Sequence, residues 1–143
     1  SGKITFALIK PSAYRQNHVG SILTMICQAG FRIQAIRSTM LSVQDAEAFY
    51  VVHRSKPFFN DLVEFMSSGP VVAMALEAPD AVLAWRTAIG ATDPAEAADG
   101  TIRKLFAESK GKNAVHGSDS DENAAREIAF FFPERELALL GVV

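Results

Sequence analysis

The stretch "PVVAMALEA", residues 70–78, is apolar at nearly every position and follows directly on Gly69. A strand buried on one face alternates apolar and polar residues, whereas a strand covered on both faces reads as an unbroken apolar run. This stretch is therefore placed as a strand at the centre of a sheet, and the rest of the chain is ordered around it. On its N-terminal side, Leu62, Val63 and Met66 mark a short helix that Gly69 ends. Before that, Ser42 and Asp45 have capping-box spacing for a helical region with Ala46, Phe49, Tyr50 and His53 on one stripe, broken at Pro57. "FRIQAIRSTML", residues 31–41, alternates as a second strand. Val19, Ile22, Leu23 and Ile26 fall at helical spacing, with Gly30 where that helix would end. Near the N-terminus "KITFALIK" sets Ile4, Phe6 and Leu8 against Thr5, Ala7 and Ile9, and Pro11 stops this strand.

On the C-terminal side, Asp80 stands as cap of a helix with Val82, Trp85, Arg86 and Ile89 on one stripe, stopped by Gly90. Residues 91–112 show little period and read as a long functional or mobile loop. "NAVH" forms a short last strand, and residues 121–132 a last helix ending at Pro133. The order strand, helix, strand, strand, helix, strand predicts an α+β fold. It is a ferredoxin-like split βαβ plan, a four-stranded antiparallel sheet covered by helices, with inserted helices and a long loop before the last strand. At 143 residues, positions 1–143 are read as a single domain. That plan hosts many unrelated functions, so activity has to be argued from side chains.

Composition narrows the classes. Hydrophobic residues are 49% and charged residues 21% of the chain, as in soluble globular domains. A net charge of -2 gives no global pull toward nucleic acid or acidic membranes, so neither is expected as a primary partner. The lone Cys27 rules out an internal disulfide framework and a cysteine-rich zinc site; in its apolar helical stripe it reads as a buried small hydrophobe. No apolar run is long enough to span a bilayer and the first residues lack a secretory pattern, so the cytoplasm is the expected compartment.

The informative residues are cations on otherwise apolar faces. Lys10 ends the Ile4, Phe6, Leu8 face, Arg86 sits within the Val82, Trp85, Ile89 stripe, and Arg103 lies in the long loop. Each alone reads as a long side chain reaching water from the core edge. Three near element ends are better explained by an anion between them. At about 1.5–3 kcal/mol per charge-assisted bond, three hold a polyphosphate before ordering costs are subtracted. Neither G-x-x-x-x-G-K-[ST] nor G-x-G-x-x-G occurs, which counts against P-loop and Rossmann readings. In "NAVHGSDS", residues 113–120, Ser118, Asp119 and Ser120 are all competent helix caps and Gly117 supplies a tight turn. The caps leave His116 unexplained. The residues alone leave it open as either a nucleophile or a structural turn residue. His18 reads as a loop residue and His53 as a helix-end residue, and no spacing among the three histidines suggests a metal trio.

"NAVHGSDS" resembles the N-x-x-H-G-S-D-S signature of the nucleoside diphosphate kinase family. "FALIKP" (6–11), "HRSKPFFNDLVEFMSSGPVVAMALE" (53–77), "GATDPAEAADGTIR" (90–103) and "REIAFFFPE" (126–134) resemble family segments in the same order, so the likeness spans essentially the whole domain. The resemblance implies a phosphotransferase working in two half-reactions. His116 takes the γ-phosphoryl of a nucleoside triphosphate, typically ATP, as phosphohistidine, then passes it to a nucleoside diphosphate. This implies low base specificity and maintenance of nucleoside triphosphate pools. By the same resemblance Lys10, Tyr50, Arg86, Thr92 and Arg103 surround the phosphates, with Lys10 also reaching the ribose. Asn113 binds the sugar hydroxyl, Phe58 stacks on the base beside Leu62, and Ser118 and Glu127 orient His116. Asp119 lies near a Mg2+ carried in with the nucleotide. A homo-oligomer is implied, and the short tail "ERELALLGVV" favours a tetramer over a hexamer.

The chain departs from the usual family pattern. Ser12 stands where aspartate is common, Asn17-His18 where Gly-Leu is frequent, and Asp99 where proline often precedes Gly100. Lys110 replaces a small aliphatic residue facing the base, and its stem is expected to pack there while the ammonium reaches solvent. A rival RNA-binding module lacks the required aromatic strand and the basic charge. A second rival, a family member acting chiefly by binding partners, is disfavoured by the intact set of site residues.

Overall fold

A computed structural model describes residues 2–140. Its sheet comprises Ile4–Ile9 (β1), Arg32–Met40 (β2), Pro70–Glu77 (β3) and Val115–Gly117 (β4) in the order β2-β3-β1-β4, with every neighbouring pair antiparallel. β3 is an inner strand, as its apolar run predicts. The helices are Pro11–Arg15 (α1), Val19–Gln28 (α2), Val43–Phe49 (α3), Phe59–Met66 (α4), Ala81–Ile89 (α5), Ile102–Phe106 (α6), Asp121–Phe131 (α7) and Glu134–Leu140 (α8). None of the described helices is long and apolar enough to cross a membrane.

Helices cover both faces of the sheet, which explains why β1 and β3 carry so little polarity. On one face Phe6, Leu8, Val71, Ala73 and Ala75 pack under α3, α4, α7 and α8. On the other, Ala7, Ile9, Val72, Met74 and Leu76 pack under Ile22 and Ile26 of α2 and Trp85 and Ile89 of α5. The two helices of the split βαβ plan, α2 and α5, thus share one side with Ala13 of α1 and Ile102 of α6, and α3, α4, α7 and α8 build the side on which His116 lies. The Ser42–Asp45 capping box forms in both directions, at 3.0 and 3.1 Å.

Several expectations need correction. Cys27 is exposed, because the buried stripe of α2 runs through Ile22 and Ile26 and turns Cys27 outward. Arg86 is likewise exposed, flanking the Val82, Trp85, Ile89 stripe rather than sitting within it. Asp80 takes the N-cap position of α5 in a left-handed conformation, φ 52°, not in the extended one that side-chain capping uses. The long loop contains α6, capped by Thr101, whose hydroxyl accepts from the Lys104 amide. The last strand starts at Val115, two residues later than "NAVH". Two short helices were not anticipated: α1, with Pro11 at its first position, and α8, which occupies most of the tail. Residues 141–143 of that tail lie outside the described residues.

Candidate active site

β4 alternates Val115 toward α5 and His116 toward the opposite face, where Phe6, Phe49 and Tyr50 meet the imidazole edge-on at centroid distances of 5.9, 5.7 and 6.2 Å. The strand is held from behind: the Trp85 indole N–H donates to the His116 carbonyl at 3.2 Å. Trp85 also decides residue 117. A Cβ there would lie 2.7 Å from Trp85 Cδ1, so Gly117 is a strand residue required by close packing and not by a tight turn.

The His116 side chain keeps 20% of its surface exposed. Its Nε2 lies 2.7 Å from Oε1 of Glu127, and the Ser118 hydroxyl donates to the same oxygen at 2.6 Å. Ser118 and Glu127 are buried. An ionised carboxylate only accepts, so the contact selects the tautomer with hydrogen on Nε2 and leaves the lone pair on Nδ1. Of the three anticipated caps, Ser120 alone caps α7, accepting from the Asn123 amide at 3.1 Å. Ser118 instead faces Glu127, and Asp119 accepts from the Asn123 side-chain amide, which holds its carboxyl below the ordinary range.

The cations converge. Lys10 is buried at the end of β1, and its ammonium donates to Asn113 Oδ1 at 2.7 Å. Burial, reinforced by the Arg103 charge, pushes its pKa from 10.5 to about 7. Gly90, with φ 88°, ends α5 and turns its carbonyl toward Arg103. The Arg103 guanidinium donates to this carbonyl at 3.1 Å and to that of Val115 at 3.0 Å. Burial and then the Arg86 charge lower the Arg103 pKa to about 10. Arg86, Thr92 and Arg103 line one cavity of about 420 Å³, and the Thr92 carbonyl accepts from the Asn113 amide at 3.4 Å. Three separate stretches of the chain thus bring three like charges together, an arrangement that repels itself unless an anion enters.

A row of rings leads outward from His116. Tyr50 stacks near His53 at 6.4 Å, and His53 meets Phe58 at 5.7 Å. Phe58 is 48% exposed, while Leu62 is half-buried against the core. The Tyr50 hydroxyl and His53 Nδ1 are buried with no hydrogen-bond partner among the described residues. Burial, then Glu127, raises the Tyr50 pKa; burial, then Lys56, lowers that of His53. His53 is the residue the sequence reading missed. It belongs to a 3-10 turn, Val51–His53, that carries it beside Tyr50. Its place as the polar member of an apolar stripe was the available signal.

Of the residues singled out, Glu127 and Ser118 meet at His116, Lys10 joins Asn113, and Arg86, Thr92 and Arg103 line one cavity, whereas Lys110 is exposed. The model of the nucleoside diphosphate kinase family matches residues 3–137. The chain belongs to the nucleoside diphosphate kinase family. It is 57% identical over 132 residues to the nucleoside diphosphate kinase of Flavobacterium psychrophilum, covering 92% of this chain and 95% of that protein. With the nucleoside diphosphate kinase of Chlorobaculum tepidum it shares 56% over 133 residues, 93% and 95% of the two chains. The crystal structure of the Aquifex aeolicus nucleoside diphosphate kinase superposes with a TM-score of 0.92 at 47% identity, covering 94% of this chain and 97% of that one. As a nucleoside diphosphate kinase family member the chain is an enzyme, a phosphotransferase of nucleotide metabolism.

Proposed function

We propose that the protein transfers the γ-phosphoryl group of a nucleoside triphosphate, typically ATP, to a nucleoside diphosphate through a phosphohistidine on His116, maintaining nucleoside triphosphate pools. The observation that carries this reading is the Nε2–Glu127 contact, which leaves the Nδ1 lone pair free on the residue next to Val115, whose carbonyl Arg103 holds. The Nδ1 lone pair attacks the γ-phosphorus, the bond to the β–γ bridging oxygen breaks, and the diphosphate leaves with that electron pair. The Nε2 proton stays on its bond to Glu127, so the imidazolium adduct is stabilised where it forms. The reverse sequence on a second diphosphate regenerates His116. Lys10, Arg86, Arg103, Thr92 and Tyr50 bind the phosphates, with the Tyr50 hydroxyl as an otherwise unpartnered donor. Asn113 and Lys10 take the sugar hydroxyl.

Phe58 stacks on the base with Leu62 beside it, and stacking of this kind discriminates bases weakly. No group of three or more His, Cys, Asp or Glu residues able to hold a metal is found among the described residues. Asp119, a single exposed carboxylate, fits a Mg2+ that arrives on the phosphates and keeps several waters. Bound there, Mg2+ would supply charge neutralisation on the phosphate oxygens.

The protein acts as a homo-oligomer in the cytoplasm. In support of assembly, β2 is an edge strand and exposes Ile36 and Met40, with Val43 exposed just beyond it. Light scattering separates tetramer from hexamer. Steady-state kinetics with ATP and several nucleoside diphosphates test the reaction. Parallel double-reciprocal lines, similar kcat/KM across bases and loss of turnover in His116→Ala are expected; intersecting lines would exclude the two-step route.

A further inference from the structure

Glu127 is gripped asymmetrically. Its Oε1 accepts from both His116 and Ser118, while Oε2 lies 3.8 Å from the Arg126 guanidinium. Arg126 is itself anchored on α3. Its guanidinium donates to the Phe49 carbonyl at 3.3 Å and sits over the Phe49 ring at 5.8 Å. Phe49 is fully buried and also packs edge-on against the His116 imidazole.

We propose that Arg126 is a positioning residue for His116: tied to the end of α3, it holds the outer oxygen of Glu127 so that the inner oxygen stays on Nε2. The inference rests on the phosphohistidine reading and adds a residue to it. A carboxylate on a helix has several rotamers, and a single oxygen shared by two donors does not fix its plane. A cation at the other oxygen, immobilised by a carbonyl and a ring of a different helix, does. The same terminal nitrogen, Nη2, makes both approaches, and its two N–H bonds allow it to serve the carbonyl and the carboxylate together. With 38% of its side chain exposed, Arg126 contributes orientation more than ion-pair stability.

The test uses the full chain labelled with 15N-histidine. Long-range proton–nitrogen correlation at about pH 8, above the ordinary imidazole range, reads the tautomer of His116 directly. Single-turnover phosphorylation by ATP with magnesium is measured alongside. The parent is expected to show one tautomer, with hydrogen on Nε2. Arg126→Met is expected to populate the Nδ1–H form and to lose about tenfold in phosphorylation rate. Arg126→Lys, which keeps a cation within reach, is expected to recover most of both. A parental tautomer in Arg126→Met, with a rate lowered only in step with its melting temperature, overturns the proposal. If ATP labels neither parent nor variants while the tautomer still shifts, the positioning role stands and the kinase chemistry falls.

Discussion

His116 Nε2 and Glu127 Oε1 stand 2.7 Å apart, and that contact occupies one ring nitrogen and leaves the lone pair on Nδ1. In Glu127→Ala both tautomers become accessible and the phosphorylated ring loses its counter-charge. Phosphoenzyme formation is expected to fall by about 10- to 100-fold, with a smaller loss in Ser118→Ala, which leaves the carboxylate in place. Rapid-quench measurement of the first half-reaction checks this order. Equal losses in the two variants would show that the carboxylate is not the orienting group.

Lys10 links affinity and stability to pH in opposite senses. Its pKa in the fold is about 7 against an ordinary 10.5, so the unfolded chain binds the extra proton between those values. The cost of burying the charge is full below about pH 7 and disappears as pH rises toward 10.5. Lys10→Met is therefore expected to be more stable than the parent by roughly 1–3 kcal/mol at about pH 6, with the gap closing at higher pH. Phosphate binding needs the charged form. Diphosphate affinity of the parent should weaken by up to about tenfold per pH unit above neutrality, and Lys10→Met should flatten that dependence. Chemical denaturation and calorimetric titration across pH measure the two effects.

Gly117 and Trp85 form a tight pair behind His116. Gly117→Ala places a methyl 2.7 Å from the indole edge. A loss of about 1–3 kcal/mol in stability is expected, with a fall in turnover as His116 is displaced. Adding Trp85→Phe, which shortens that edge, should return part of the stability. Additive losses in the double variant would show that the two residues are not coupled.

Phe58 is the exposed ring proposed to meet the base, and Lys110 is the exposed lysine that the family resemblance sets opposite it. Phe58→Ala is expected to raise nucleotide KM by about tenfold with little change in melting temperature, because the ring is half exposed. Lys110→Val is expected to change KM modestly and leave kcat intact. A large loss of turnover in Lys110→Val would bring this exposed lysine into the chemistry.

Patterns with a strong local cause were legible in the sequence. The unbroken run of β3, the Ser42 capping box and the glycine that ends α5 all appear where expected, since each is set by neighbours in the chain. Lys10, Arg86 and Arg103 stood out in the sequence as cations near element ends, and in the fold the Arg103 charge acts on Lys10 and the Arg86 charge on Arg103. What failed depended on tertiary detail. Cys27 and Arg86 miss the buried faces of their helices because the stripe that packs is narrower than the apolar pattern suggests. Gly117 is explained by a tryptophan 32 positions earlier in the chain, which no local rule detects. Short α6 and α8 lack periodicity to announce them, and His53 was hidden by its place at a helix end.

The most direct measurement is incubation of the full chain with γ-labelled ATP and magnesium, followed by isolation of the protein. One label is expected, at His116, acid-labile, alkali-stable and discharged by any added nucleoside diphosphate. Folded protein that takes up no label, or an acid-stable label at Ser118 or Ser120, would contradict the phosphohistidine reading.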